Sequence, residues 1–161
     1  MTVSEAPDEN ARATDRDSPA EVVDRIDRPV LLFDGVCNLC HASIRAIVRL
    51  DAAGKILFAP LQSEVGRELL DRQGLSPDYF DSVVLVEGDS HYTKSTAVLR
   101  ACRCLDGPLP LVYPLVYLPR GLRDAVYDFV AEHRYGVFGK RDECSVPEPH
   151  VRERFLERSL A

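Results

Sequence analysis

The sequence contains little lysine and no long apolar run. Lysine occurs only at positions 55, 94 and 140, and the formal net charge is −6. A negatively charged chain has little attraction for phosphate groups, so we do not expect nucleic acid as a partner. The longest apolar stretch, LPLVYPLVYLP at 109–119, is interrupted by prolines and too short to cross a bilayer, so we expect no membrane association either.

The beginning of the chain lacks the apolar segment of a secretory signal. Residues 1–28 are polar and rich in acidic side chains, which predicts a disordered tail with at most a helical turn near 21–26. We therefore expect a cytoplasmic protein with one domain over residues 29–161. Its five cysteines, an odd number, argue against a disulfide framework. In a reducing compartment, a close cysteine pair favours catalysis or metal binding.

Hydrophobic periodicity predicts a mixed α/β domain with the element order βαβα-ββα. VLLF at 30–33 is typical of a strand buried on both faces, and from Asn38 to about Gly54 the pattern changes to that of a helix. The first half of this order implies parallel strands and the second half an antiparallel pair. The remaining predicted elements are a strand at 56–60, a helix capped by Ser63, a hairpin at 82–95, a helix capped by Ser95, and helices near 120–134 and 148–159.

The stretch FDGVCNLCH, residues 33–41, places two cysteines at the predicted start of a helix, directly after a strand. Thiol–disulfide exchange is performed by the thiolate, and the N-terminus of a helix favours this anion. Helical phase puts Cys40 on the buried face with Ile44, and Cys37 at the exposed start of the helix. We therefore predict that Cys37 attacks a disulfide and that Cys40 resolves the mixed disulfide.

Zinc and haem are alternative uses of the same pair. A four-cysteine zinc site would combine it with Cys102 and Cys104. That second pair lies in a predicted helix, where residues two apart project about 200° from each other, so the zinc hypothesis is weakened and Cys102 is interpreted as a core residue. CNLCH also matches the haem-attachment pattern, but the chain has no export signal and no methionine besides Met1, and we reject haem.

Asp34 and His41 flank the cysteine pair. Asp34 either accepts a thiol proton during exchange or forms a turn in which its carboxylate binds backbone N–H groups, and the sequence leaves both interpretations open. A cationic His41 would stabilise a thiolate, but we favour a solvent-exposed histidine on the helix surface.

Four separated stretches resemble, in the same order, those of the DCC family of predicted thiol–disulfide oxidoreductases, also called DUF393. They are LLFDGVCNLC, FAPLQSEVGRELL, SVVLVEGDSHYTKSTAVL and RYGVFGKRDEC, and the resemblance extends from Pro29 to about Leu156. It implies an α/β, thioredoxin-like fold with additional C-terminal helices and a protein-disulfide reductase type of activity. It also implies that Asp34, Cys37 and Cys40 form the catalytic site.

The resemblance also suggests where a substrate binds. YTKS, which ends at Ser95, is similar to the turn with which glutaredoxin-like domains hold the γ-glutamyl group of glutathione, although the sequence alone favours an ordinary helix cap at Ser95. Gln62 and Ser63 follow the second strand, at the same end of the sheet as the dithiol. Where related folds carry a cis-proline before the third strand, this chain has Asp81-Ser82.

These observations predict a thiol–disulfide oxidoreductase that requires neither a metal nor an organic cofactor. We expect a protein disulfide or a low-molecular-weight thiol as substrate, and a thioredoxin- or glutathione-type electron donor. A non-catalytic redox-sensing or binding module on the same fold is the alternative, and a zinc-stabilised structural domain is less favoured.

Overall fold

The computed structural model describes residues 18–76, 78–79, 82–140 and 155–156. Its elements are α1 (Pro19–Asp24), β1 (Val30–Phe33), α2 (Asn38–Leu50), β2 (Leu57–Pro60), α3 (Glu64–Arg72), β3 (Val84–Glu87), β4 (Ser90–Thr93), α4 (Lys94–Cys104), a 3₁₀ helix (Leu109–Tyr117) and α5 (Arg120–Phe138). The predicted order βαβα-ββα is confirmed for β1 to α4. None of the helices in the described ranges combines the length and the apolar character that crossing a membrane requires.

The four strands form one sheet in the order β2-β1-β3-β4. β1 is parallel to β2 and antiparallel to β3, and β3 is antiparallel to β4. The parallel pair needs a crossover, which α2 provides, whereas a tight turn suffices for the hairpin. Gly88 lies in that turn with φ +58, a conformation that favours glycine. This arrangement is a thioredoxin-like α/β fold, as predicted.

Each face of the sheet has its own apolar core, because successive side chains of a strand point to opposite faces. Leu31 and Phe33 pack in a cluster with residues of α2 and α4 that includes the two thiols of FDGVCNLCH. Val30 and Leu32 pack in a second cluster with residues of α3. We call these the thiol face and the α3 face. All four residues of β1 are buried, so the predicted burial on both sides is confirmed.

The end of α2 differs from the prediction. The helix ends at Leu50 and not near Gly54, because Asp51 redirects the chain. The Asp51 side chain is fully buried, and its carboxylate accepts hydrogen bonds from the backbone N–H groups of Lys55 and Ile56, both at 3.0 Å. These two bonds hold the turn that leads into β2.

One predicted helix cap is confirmed and another is wrong. Ser63 caps α3, with its Oγ accepting a hydrogen bond from the backbone N–H of Gly66 at 2.9 Å. Helix α4 begins one residue before Ser95, with Thr93 at the cap position. Ser95 instead donates its hydroxyl to Asp124 of α5, a contact between distant segments that the local sequence pattern does not reveal.

The structure also corrects the predicted boundary of the tail. Residues 18–28 include α1, which begins with a capping box formed by Ser18 and Glu21, so the predicted helical turn is confirmed and extended. Val23 is buried in the cluster of the α3 face, and Asp24 pairs with Arg72 of α3 at 2.6 Å. The prediction that disorder continues to residue 28 is therefore wrong. Residues 1–17 lie outside the described residues.

The C-terminal part differs from its prediction in two ways. Helix α5 continues past residue 134 to Phe138, where Gly139 ends it with φ +77. Within the stretch 148–159, for which a helix was predicted, only Phe155 and Leu156 are described. Phe155 pairs with Phe58 as an isolated parallel bridge and Leu156 lies in a bend, so neither Phe155 nor Leu156 is helical. Cys144 lies outside the described residues.

Candidate functional site

The two cysteines of FDGVCNLCH lie where β1 turns into α2. Cys37 occupies the cap position of α2 with an extended backbone, φ −89 and ψ 122, and its carbonyl accepts a hydrogen bond from the backbone N–H of His41 at 3.1 Å. Cys40 follows in the first turn of the helix. Both are free thiols. The predicted placement of the pair at the N-terminus of a helix is confirmed.

Cys37 is more enclosed than we predicted. Its exposed fraction is 0%, against 8% for Cys40, because the chain that leaves α5 covers the start of α2. Lys140 pairs with Cys37 as an antiparallel bridge. Asn38 donates its backbone N–H to the carbonyl of Gly139 at 3.4 Å and its side-chain amide to the carbonyl of Phe138 at 2.7 Å. We call residues 138–140 the strap.

Cys40 is a weak acid in this environment. Burial, and after it the neighbouring Cys37, raise the pKa of Cys40 to about 12. At neutral pH its sulfur is therefore protonated, and it needs a base before it can attack a mixed disulfide. This property suits the predicted resolving role better than an attacking role.

Asp34 is the centre of a buried polar cluster, with an exposed fraction of 3%. Its Oδ1 accepts hydrogen bonds from the side-chain amide of Gln62 at 2.9 Å and from the backbone N–H of Val36 at 3.1 Å. Its Oδ2 accepts a hydrogen bond from the Tyr135 hydroxyl and lies 3.4 Å from Nη2 of Arg134. The carboxylate thus shapes the loop, as one of the two interpretations held. That it also accepts a thiol proton stays a prediction.

Gln62 links the Asp34 loop to the end of β2. Its Oε1 accepts a hydrogen bond from the backbone N–H of Gly35 at 3.0 Å, while its amide nitrogen donates to Asp34. This arrangement follows from the parallel pairing of β1 and β2, since the carboxyl ends of parallel strands meet at the same edge of the sheet. The structure thus brings Gln62 into the cluster around Asp34.

Ser63 and Ser95 are not brought to the thiols by their described contacts. The Ser63 hydroxyl donates to the Pro60 carbonyl at 2.7 Å and accepts from Gly66, so it is engaged within its own cap. The Ser95 hydroxyl donates to Asp124 and accepts from Nη1 of Arg123 at 3.1 Å. Both side chains are buried.

Sequence reasoning missed Arg134 and Tyr135 of α5, which complete the cluster. Arg134 is 8% exposed, and its Nη2 donates to the Tyr135 hydroxyl at 3.2 Å. Burial and the hydrogen bond to Asp34 raise the pKa of Tyr135 to about 12, so the phenol is a neutral donor. The stretch RYGVFGKRDEC was available as a signal because we singled it out for the resemblance, but it did not indicate that its first two residues contact Asp34.

His41 is buried, with an exposed fraction of 7%, although we predicted a solvent-exposed side chain. Its Nε2 lies 2.7 Å from the Gly35 carbonyl oxygen, and because a carbonyl can only accept, Nε2 carries the proton. The ring meets Phe33 edge to face, with the centroids 6.0 Å apart. The prediction is wrong because the loop after β1 covers this side of α2.

An apolar cavity of about 320 Å³ lies on the thiol face, between α2, α4 and α5. Cys40 and Cys102 both line it, with Arg134 among its few polar groups. Beside it, the backbone N–H of Val83 donates to the Tyr127 hydroxyl at 3.0 Å, so this group at the start of β3 is already bonded within the chain. The described residues contain no cis peptide bond, and among them no three His, Cys, Asp or Glu side chains are grouped as metal ligands would be.

The family profile described as DCC1-like thiol-disulfide oxidoreductase matches residues 31–140 of the chain. The chain belongs to this family. The match extends from β1 to the strap, so it includes the cysteine pair, Asp34, Gln62, Arg134 and Tyr135. The resemblance noted in the sequence is confirmed.

Two relatives cover most of this DCC1-like chain. The uncharacterized protein YuxK of Bacillus subtilis is 47% identical over 133 residues, which cover 83% of this chain and 97% of the relative. A chloroplastic DCC family protein of Arabidopsis thaliana is 46% identical over 120 residues, which cover 74% of this chain and 70% of the relative. No solved structure matches the chain significantly.

Proposed function

We propose that this DCC1-like protein is a thiol–disulfide oxidoreductase of the protein-disulfide reductase type, acting through Cys37 and Cys40. The observation that carries the proposal is the pair of free thiols at the N-terminus of α2, with the buried carboxylate of Asp34 in the preceding loop. The description of the family supports the same chemistry.

In the first step the Cys37 thiolate attacks one sulfur of a substrate disulfide. The new bond joins Cys37 to that sulfur, and the substrate S–S bond breaks. The second substrate sulfur leaves with the electron pair as a thiolate. Cys37 stands at the positive end of the α2 dipole, which attracts the negative charge of an attacking thiolate.

In the second step Cys40 transfers its proton to Asp34 and attacks the sulfur of Cys37. A Cys37–Cys40 disulfide forms, the bond from Cys37 to the substrate breaks, and the remaining substrate sulfur leaves as a thiolate. The substrate disulfide has then gained two electrons that the dithiol has lost. A thioredoxin- or glutathione-type donor reduces the protein disulfide and restores the dithiol.

Substrate access requires the strap to move, because Cys37 is fully enclosed. An extended peptide next to a disulfide suits the space that the strap vacates, since the strap itself pairs with Cys37 through its backbone. We propose Gln62 as a substrate contact at this edge. Ser63 and Ser95 remain proposed contacts that would first have to release their present partners.

The proposal is tested by reduction of insulin disulfides and of glutathione disulfide with a regenerated thiol donor. We expect turnover in the wild type, no turnover in Cys37→Ser, and accumulation of a mixed disulfide in Cys40→Ser. Cys102→Ser is the matched control and is expected to retain activity, because Cys102 lies on α4 outside the proposed steps. If the wild type shows no turnover above Cys37→Ser, the enzymatic proposal should be withdrawn.

The complete enclosure of Cys37 favours one second candidate, a redox sensor that undergoes one oxidation without repeated turnover. A sensor would form the Cys37–Cys40 disulfide stoichiometrically with an oxidant and show no multiple turnover in the same assays.

We propose a reducing compartment such as the cytoplasm as the site of action. The Arabidopsis relative is named as chloroplastic, so fractionation of the source cells is the measurement that decides the compartment.

A further inference from the structure

We propose that Arg134 is a positively charged partner shared by Asp34 and Cys40. In the resting protein it pairs with the Asp34 carboxylate, and after proton transfer it stabilises the Cys40 thiolate. This inference rests on the proposed thiol–disulfide exchange and concerns its second step. It makes Arg134 a positioning residue, since it acts on the charge of the reacting sulfur without bonding to the substrate.

The contacts of Arg134 are those of a buried charge with unused capacity. Its guanidinium is held 3.4 Å from Asp34 through Nη2, and the same Nη2 reaches the Tyr135 hydroxyl at 3.2 Å. Its Nε is buried and has no hydrogen-bond partner among the described residues. An arginine keeps its charge throughout the pH range of proteins and has five N–H donors. One donor therefore remains available for a second anion.

Arg134 and Cys40 line the same apolar cavity. An anion in such surroundings is strongly disfavoured unless a cation lies near it. Burial and Cys37 raise the pKa of Cys40, and Arg134 is the neighbouring charge that lowers it. Geometry and electrostatics thus both assign Arg134 to this sulfur as well as to Asp34.

The proton transfer conserves the charges of the cluster. Before it, Arg134 is a cation, Asp34 is an anion and Cys40 is a neutral thiol. After it, Arg134 is a cation, Asp34 is a neutral acid and Cys40 is a thiolate. One cation and one anion are present in both states, so the apolar surroundings never hold an uncompensated charge. After resolution, Asp34 releases its proton to water or to the departing thiolate and pairs with Arg134 again.

Other titratable groups face this cluster, and two nearby lysines have partners of their own. Lys94 is paired with Asp128 at 2.9 Å, and Nζ of Lys140 lies 4.2 Å from the ring centre of Tyr135. Arg134 is the described cation in contact with Asp34. The remaining groups around Arg134 are Cys37 at the cap of α2, Tyr127 and Glu132 of α5, and Tyr79 from the loop after α3.

The test separates the two steps with an aromatic disulfide, dithiobis(nitrobenzoate). In a parent protein with Cys102, Cys104 and Cys144 changed to alanine, attack by Cys37 releases one nitrothiobenzoate and resolution by Cys40 releases a second. We expect Arg134→Gln to slow the second release by about tenfold or more and to move its pH dependence at least about one pH unit higher, since an opposite charge nearby shifts a pKa by about 1–3 units. The rate of the first release should change little in Arg134→Gln. Arg134→Lys should recover most of the rate of the second release.

Two further variants keep the test decisive. Arg123→Gln removes another arginine of α5, one that binds the Ser95 and Thr96 hydroxyls, and should leave the second release unchanged. Arg134→Gln alone leaves the buried carboxylate of Asp34 without its positively charged partner, which can prevent folding. The double variant Asp34→Asn with Arg134→Gln removes both charges of the ion pair, so it replaces the single variant if that one does not fold. In the double variant, the pH dependence of the second release should still lie about one pH unit higher than in Asp34→Asn alone, since an opposite charge nearby shifts a pKa by at least that much.

The results divide cleanly between the two proposals. If the second release has the same rate and pH dependence with and without Arg134, or if Arg134→Lys is as slow as Arg134→Gln, the shared-charge inference is overturned while dithiol exchange stands. If the parent protein releases only one nitrothiobenzoate, dithiol exchange itself fails, and the inference fails with it.

Discussion

The two faces of the sheet differ in what they hold. On the α3 face, residues such as Leu32, Leu61 and Leu70 are fully buried in a cluster of apolar side chains. On the thiol face, β1 contributes Leu31 and Phe33 to a cluster with two cysteines, next to a cavity of about 320 Å³. One side of the sheet is therefore closely packed, whereas the other has a cavity and buried polar groups beside its two thiols.

The same contrast extends to the solvent-facing surfaces. Large apolar side chains with high exposure occur on α5, as at Leu122, Val126 and Phe129 with exposed fractions of 60%, 61% and 64%. Among the described residues, none of the exposed large apolar side chains belongs to α3 or to the strands. The helix that supplies Arg134 and Tyr135 therefore also carries several exposed large apolar side chains.

Leu70→Ala should have the largest effect on stability, because it removes a fully buried side chain from the α3 face. We expect the free energy of unfolding to fall by about 2–5 kcal/mol. Ile44→Ala on the thiol face is the matched variant. Ile44 already borders the cavity, so it loses fewer contacts, and its cost should lie at the lower end of that range. Urea unfolding followed by circular dichroism measures both.

The thiol chemistry should respond in the opposite order. Leu70→Ala should leave both nitrothiobenzoate releases unchanged at temperatures where it is folded, whereas Ile44→Ala should alter the second release because Ile44 lines the cavity with Cys40. If Leu70→Ala and Ile44→Ala lost equal stability and had equal effects on the two releases, the two faces would not differ in their contributions to stability and to thiol chemistry.

A glycine-to-alanine change should lower the free energy of unfolding on α3 and raise it on α5. A Cβ added at Gly66 of α3 would lie 2.2 Å from the Pro60 carbonyl oxygen, so the helix must move away from β2, at a cost of about 1–3 kcal/mol. A Cβ at Gly136 of α5 meets no atom within 4 Å, and alanine there should stabilise the helix by about 0.5–1 kcal/mol. Thermal unfolding of both variants measures these changes in stability. If both variants were stabilised or both destabilised, packing around α3 would not be tighter than packing around α5.

Much of the site was predictable because it lies within one short segment. Asp34, Cys37 and Cys40 belong to a strand, a turn and a helix whose periodicities are visible in the sequence. Gln62 was predictable because it follows the second of two parallel strands. Each of these predictions depended on local pattern or on the rules of strand pairing.

The remaining features depend on contacts that local pattern does not encode. The helical pattern predicted α5, but the position of Arg134 and Tyr135 against Asp34, 101 residues away from Tyr135, is set by how α5 packs on the domain. His41 was misjudged because helical phase identifies the face of a helix and not the loop that covers it. Enclosure of Cys37 was missed for the same reason, since it comes from the strap.

The smallest effect we predict concerns the strap. Asn38→Ala removes the hydrogen bond from the side-chain amide to the Phe138 carbonyl at 2.7 Å. If that bond contributes about 1 kcal/mol, the strap should open about fivefold more often, and Cys37 should react with iodoacetamide about fivefold faster. Mass spectrometry of the alkylated peptides gives the rate. Ser43→Ala is the matched control, because the Ser43 hydroxyl donates to the Leu39 carbonyl on the same helix.

Comparison with Leu70→Ala decides how Cys37 becomes accessible. If exposure requires global unfolding, Leu70→Ala should accelerate alkylation far more than Asn38→Ala, because it costs more stability. If local release of the strap suffices, Asn38→Ala should accelerate alkylation and Leu70→Ala should have little effect under conditions that keep it folded. We expect the second result, since the strap is held to α2 by a few backbone and amide contacts, whereas the α3 face is packed throughout. The opposite order would show that the thiol face opens only when both faces do.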